Sequence, residues 1–180
     1  TRLRWGDTLR FYRPNGLDQD TCTGDLLSVL AACGRECDPA HYPLDGITWA
    51  KAQHPAEIVW LADTLQEAER RLGLPANRLR LQFVVESGWA VARLRELVQA
   101  AGPRLCGIVF GLADYSAELS LPRVRSSHPT CDWARAAIVN AAGAAGVPAI
   151  DAMTLRYPVA DPTLDTHANR RQILDAVREC

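Results

Sequence analysis

Glu86 closes the apolar run LRLQFVVE (79–86), and Asp114 stands three residues beyond the next such run, LCGIVFG (105–111). Carboxylates at the ends of neighbouring strands, about 4.8 Å apart, can reach one cation. Mg²⁺ typically takes one or two protein carboxylates and fills its shell with water and substrate oxygens. The same residues admit a plainer reading, in which Asp114 caps a short helix near Tyr115 and Glu86 is a solvated strand end. Three further strand-like runs also end on charge: Arg13 after LRFYR, Lys51 in GITWAK and Asp151 in VPAID. With 23% of residues charged, five charged ends out of five exceed chance. In parallel α/β folds that rim is where the loops converge to build active sites.

Other reactive residues carry less. Lys51 reads either as a contact for an anionic substrate or as a solvated rim lysine. Asp151 reads either as a support for the site residues or, with preference, as a partner for the amides of the loop after it, and Arg135 either as a contact for a phosphate or, by default, as a surface salt bridge. His54 precedes Pro55 at a helix start, His128 lies in a Ser-Pro loop, and His41 and His167 have polar neighbours. None forms a triad with a nucleophile. Trp49, Trp60, Trp89 and Trp133 are expected to pack helices onto the sheet. The six cysteines offer one close pair, Cys33 and Cys37, with no second pair to complete a zinc set, so reduced structural thiols are expected. Cys106, inside an apolar run, behaves as a small hydrophobe.

The elements that must position these residues alternate along the chain. Strands are expected at Leu9–Arg13, Gly46–Lys51, Leu79–Glu86, Leu105–Gly111 and Val147–Asp151. Helices are expected near Thr23–Cys33, at Pro55–Leu72, Trp89–Ala101 and Asp132–Ala145, and roughly at Ala168–Glu179. Pro55 suits a first helical position, while Gly73 and Gly146 suit helix ends. Ile58, Leu61, Ala62, Leu65, Ala68 and Leu72 share one helix face. The near-continuous apolar content of 105–111 predicts burial on both faces, and 121–130 reads as a loop.

Five β–α units in succession predict a parallel sheet covered by helices. An open doubly wound sheet would be complete at this length, whereas a (β/α)₈ barrel of about 250 residues would be represented by five of its eight units. No G-x-G-x-x-G fingerprint or P-loop occurs, which weakens the nucleotide-binding form of the open sheet.

At 180 residues the chain suits a single domain, 1–180, with a substantial core. A net charge of −1 with scattered Lys and Arg gives no basic footprint, so no nucleic-acid partner is expected. No apolar run approaches the roughly 18 residues that span a bilayer, and no signal peptide opens the chain. The expectation is a cytoplasmic protein without a membrane partner.

Five segments occur in an order and spacing that resemble the HpcH/HpaI aldolase and citrate lyase beta-subunit superfamily. They are Arg13 in FYRPNG, LDGITWAKAQHPAEIVWL (44–61), VVESGWAV (84–91), FGLADYSAEL (110–119) and RAAIVNAAGAAGVPAID (135–151). The resemblance implies a TIM (β/α)₈ barrel that breaks or forms a carbon–carbon bond beside a carbonyl. It implies Mg²⁺ or Mn²⁺ held by Glu86 and Asp114, with Arg13 as the catalytic and substrate-binding residue on a carboxylate or carbonyl oxygen. Lys51 would meet an anionic substrate or the diphosphate of coenzyme A. The substrates implied are a small hydroxy or keto acid or its CoA thioester, as for citrate, malyl-CoA or citramalyl-CoA lyases, and the assembly implied is a homo-oligomer, trimer or hexamer. Two alternatives stay open: a pyruvate-releasing class II aldolase without CoA, which needs a His base, and an inactive barrel fragment acting as a binding module. Ala50 stands where the family has Pro before Lys51. The family's acidic first strand has no counterpart before Leu9, and its last strands and Gly-Lys and His-Pro elements have none after 151. The expectation is an incomplete barrel of about five βα units.

Overall fold

A computed structural model describes residues 8–34, 41–122, 124, 127–153, 163 and 165–178. Cys37, Glu179 and Cys180 lie outside them. Among the described residues, Cys22, Cys106 and Cys131 are free thiols, and no helix is long and apolar enough to cross a membrane.

Local chemistry sets the helix ends. Helix α1 spans Cys22–Gly34 and α2 spans Pro55–Leu72. Pro55 lacks an N–H at a position where that group has no partner within the helix. Gly73 ends α2 at φ 66°, a left-handed conformation that costs glycine nothing. The helix expected over 89–101 is two, α3 (Gly88–Ala92) and α4 (Leu94–Ala101), with the break at Arg93. Helix α5 spans Leu112–Glu118 and α6 spans Pro129–Ala145. Helix α6 starts inside the expected loop, because Pro129 is a preorganised first residue and the His128 ring accepts the Thr130 N–H at 3.3 Å. Helix α7 spans Thr166–Arg178.

The strands are shorter than their apolar runs: β1 (Phe11–Tyr12), β2 (Gly46–Trp49), β3 (Arg80–Val85), β4 (Leu105–Phe110) and β5 (Ala149–Ile150). All pair in parallel in the order β1-β2-β3-β4-β5. Right-handed crossovers that always step the same way place every helix on one face of the sheet. Accordingly α1 packs on α2, α2 on α4 and α4 on α6. A doubly wound sheet reverses its strand order at a switch point. This one does not, and the architecture is an arc of a TIM barrel made of five βα units.

Strand alternation divides the side chains between the two faces. Ile47, Trp49, Leu81, Phe83, Val85, Ile108 and Phe110 are buried beneath the helices. Thr48, Gln82, Val84, Gly107 and Val109 line the inner face, where Gln82 donates to Thr48 Oγ1 at 2.7 Å. On its inner face β4 is buried at Gly107 and half-buried at Val109, so the expected burial on both faces is met in part.

At the opposite end of the strands from the rim, Glu69 occupies the buried face of α2 with Ile58, Leu61 and Leu65. Arg104, in the turn before β4, meets it with two hydrogen bonds of 2.8 and 2.7 Å. Glu69 also accepts the backbone N–H of Leu79 at 2.7 Å and of Asn77 at 3.2 Å, while Arg104 donates to the Leu79 carbonyl.

Trp89 and Trp133 depart from expectation, whereas Trp49 and Trp60 do not. Trp49 is buried and packs against Trp60 with ring centroids 6.0 Å apart. Trp89 and Trp133 are 58% and 60% exposed. The buried stripe of α6 runs through Cys131, Ala134, Ile138 and Ala142, and residue 133 lies off it. In the short α3, Ala90 and Val91 take the inward positions.

Candidate active site

Glu86 is the first residue past β3, and alternation puts its side chain on the inner face above Val84. It is only 5% exposed, and its Oε2 has no hydrogen-bond partner among the described residues. Buried carboxylate oxygens are normally satisfied, so an orphan here marks a group built for something else. Gly111 holds the matching place past β4, its N–H continuing the ladder to the Val85 carbonyl at 2.9 Å. A Cβ at 111 would run into Glu86 Cγ and lie 3.1 Å from Val84 Cγ1. The glycine is needed for space, to seat Glu86.

Asp114 lies in the first turn of α5, exposed at the rim. Burial first, and the neighbouring Asp114 carboxylate second, push the Glu86 carboxyl above the ordinary carboxylate range, against the opposing influence of Arg13 and Lys51. Arg13, Lys51 and Asp114 are thus the charges that act on Glu86, each from the end of a different strand. Arg13 is exposed and forms no ion pair among the described residues. Lys51 adopts φ 52°, an uncommon conformation for a residue with a Cβ, where the chain turns off β2. Its Nζ lies 4.0 Å from Asp18 Oδ2. Between the loop at Gly16–Asp18 and the loop at Ala50–Gln53 lies a cleft of about 280 Å³, large enough for a small acid.

Asp151 stands apart from this group. It accepts Arg135 Nε at 2.9 Å and the Ala152 N–H at 2.7 Å, the local roles expected of both residues. Ser87, unremarked in the sequence, caps α3 by accepting the Ala90 N–H at 3.0 Å. Gly111 was also missed as a site residue. Its signal was its position two residues past Val109, on the same inward face as Glu86.

The residues present fit a divalent cation. Two carboxylates supply hard oxygens, one of them buried with an unpaired oxygen and given room by a glycine. Among the described residues no group of three or more His, Cys, Asp or Glu could hold a metal. The pair is thus the kind of donor set that leaves most of the shell to water and substrate.

Replacing Gly111 with alanine is expected to cost about 1–3 kcal/mol through overpacking. Most of that cost should vanish in a Glu86→Ala background, where the obstructing side chain is gone. A double-mutant cycle by thermal denaturation checks this, and equal costs in both backgrounds would refute the steric seat.

The family model described as "Domain of unknown function (DUF6986)" matches residues 36–180. The chain is 31% identical over 150 residues to an L-malyl-CoA/beta-methylmalyl-CoA lyase of Haloarcula marismortui, covering 83% of this chain and 40% of the lyase. A solved citrate lyase from Burkholderia xenovorans shares the fold with a TM-score of 0.68 at 24% identity, over 81% of this chain and 46% of that one. A citrate lyase beta subunit from M. tuberculosis, complexed with oxaloacetate and magnesium, superposes with a TM-score of 0.59 at 20% identity, over 93% of this chain and 62% of that one. The chain spans between 35% and 49% of the length of the curated relatives it matches.

Proposed function

This chain belongs to the DUF6986 family and, with its malyl-CoA lyase and citrate lyase relatives, to the HpcH/HpaI aldolase and citrate lyase beta-subunit superfamily, and from that premise we propose that it carries the metal-binding part of a carbon–carbon lyase site. Glu86 and Asp114 would hold Mg²⁺ or Mn²⁺, and the substrate would be a small hydroxy or keto acid or its CoA thioester. The observation that carries the reading is Glu86 itself, a buried carboxylate with an unpartnered oxygen beside a second carboxylate at the barrel rim. The magnesium and oxaloacetate in the M. tuberculosis complex and the name of the Haloarcula relative support the same chemistry.

When bound, a divalent cation supplies charge stabilisation for the enolate oxygen that develops as a bond beside a carbonyl breaks. The chain's own residues hold and orient the reactants. Arg13 offers a planar guanidinium fork, matched to a carboxylate and not engaged by an acid among the described residues. Lys51, across the cleft from the β1 loop, adds a second cation for an anionic substrate. The inner-face packing around Glu86 fixes one carboxylate before substrate arrives, which lowers the cost of ordering the site.

Calorimetric titration with Mg²⁺ and Mn²⁺ tests the reading. The parent should bind saturably, and Asp114→Asn and Glu86→Gln should each weaken binding by roughly ten-fold or more, as loss of a charged ligand predicts. If both variants bind as tightly as the parent, the lyase reading fails at its base. A thermal-shift comparison then separates substrates: short acyl-CoA species should raise the midpoint more than pyruvate, and only with metal present. The reverse order would point to the CoA-independent aldolase.

A further inference from the structure

The cleft between the loop at Gly16–Asp18 and the loop at Ala50–Gln53 is lined by three charged residues, Asp18, Lys51 and Glu57. Two of them are acids. Lys51 Nζ lies 4.0 Å from Asp18 Oδ2, with both side chains more than half exposed. An exposed pair of this kind is weak and exchangeable, yet it offsets the charge that the lysine shows to anything entering the cleft. Glu57 stands in the first turn of α2, where the Trp49 indole N–H donates to its Oε2 at 3.5 Å. It pairs with no cation among the described residues, so its charge is uncompensated. The lining thus sets one positive charge against two negative ones. Gln53 adds a neutral amide that can both donate and accept. Lys51 links the cleft to the candidate metal site, since it is also one of the charges that act on Glu86.

We propose that this cleft receives the far end of the substrate and selects an acid with a single free carboxylate, Asp18 and Glu57 being the specificity-determining residues that turn away a second one. The inference rests on the lyase reading for the reacting end, which Arg13 and the metal would hold. A second carboxylate placed in the cleft would meet two acids and one lysine that is already engaged. Like charges brought together in this way reject a ligand without any steric clash. An uncharged polar end escapes that repulsion. It can donate to the same two carboxylates and exchange hydrogen bonds with the Gln53 amide.

Calorimetric titration of the full chain with malate and with its β-amide tests the proposal. The two ligands differ only at the far end, where one has a carboxylate and the other a neutral carboxamide of the same size. In the presence of Mg²⁺ the parent should bind the β-amide more tightly than malate, by roughly five-fold. Asp18→Asn removes a repelling charge and frees Lys51, so it should strengthen malate by roughly two- to five-fold and change the β-amide little. Glu57→Gln should act in the same direction, and the double variant should prefer malate. Glu96→Gln, which removes an acid from the first turn of α4, should leave the ratio of the two affinities where it is. Asp114→Asn should leave that ratio unchanged whether or not it weakens both ligands. The ratio therefore reports on the cleft, and a loss shared by both ligands reports on the metal. Malate bound as tightly as the β-amide by the parent overturns the proposal, as does a ratio that Asp18→Asn and Glu57→Gln both leave unmoved. An equal shift in Glu96→Gln, or no saturable binding of either ligand at millimolar concentration, overturns it as well.

Discussion

Replacing Arg104 with alanine is expected to destabilise the protein by about 3–5 kcal/mol, the usual cost of stranding one partner of a buried ion pair. For a chain of this size that lowers the melting midpoint by roughly 6–20 °C. The loss is large because Glu69 and Arg104 are nearly fully buried and their two-point contact also organises the backbone around Leu79. Without Arg104, the Glu69 carboxylate keeps its acceptor role toward the Leu79 and Asn77 amides but has no counter-charge. Replacing both residues together by apolar side chains of similar volume should cost far less than either alanine variant, because the desolvation of both charges is then removed. A thermal double-mutant cycle decides it, and a cost below about 1 kcal/mol for Arg104→Ala would rank the pair with ordinary surface bridges. The pair sits at the end of the strands remote from the rim. Folded Arg104→Ala protein, assayed well below its midpoint, should therefore keep its Mg²⁺ affinity.

Glu86→Gln should produce the opposite combination, loss of metal binding with a gain in stability of the metal-free protein. The parent holds a carboxylate out of water, with one oxygen unsatisfied and Asp114 alongside. Removing the charge removes a desolvation penalty. A gain on the order of 1 kcal/mol would raise the midpoint by about 2–4 °C. The pH dependence has a definite sign. Because the folded-state pKa of Glu86 is raised, its contribution to stability is fully present below the ordinary carboxylate value of about 4.3 and is lost as the pH rises through the raised value. The advantage of Glu86→Gln should thus be largest at neutral pH and shrink on acidification. Melting curves across that range in a chelator check it. A variant less stable than the parent at neutral pH would mean that the Glu86 carboxylate is a net structural asset.

These two carboxylates also mark what a sequence can and cannot disclose. Glu86 was legible because it ends an apolar run, and inward orientation follows from strand alternation. Glu69 was not, because helical periodicity selects apolar positions, and a charge on the buried stripe becomes intelligible only through a partner 35 residues away. Helix α2 matched its expected span because Pro55 and Gly73 fix its ends chemically. The strands did not, since pairing stops before the apolar pattern does. The exposed Trp89 and Trp133 were misplaced for a related reason: residue type favours burial, but position on the helix decides it. Arg93 illustrates the same limit, as its break in the expected helix and its contact with His54 join segments that nothing in the linear pattern connects.

Every strand pairs with the one made immediately before it, and that order bears on how the chain acquires its shape. Among these five strands no pairing waits for a distant segment, so each new unit can dock onto an edge already formed. Such growth keeps contacts comparatively local and favours assembly from the N-terminus during synthesis. The Glu69–Arg104 contact then acts as a checkpoint. It can close only when the turn before β4 has emerged, and it locks α2 and the start of β3 just as β4, which leads into Gly111, joins the sheet to receive Glu86.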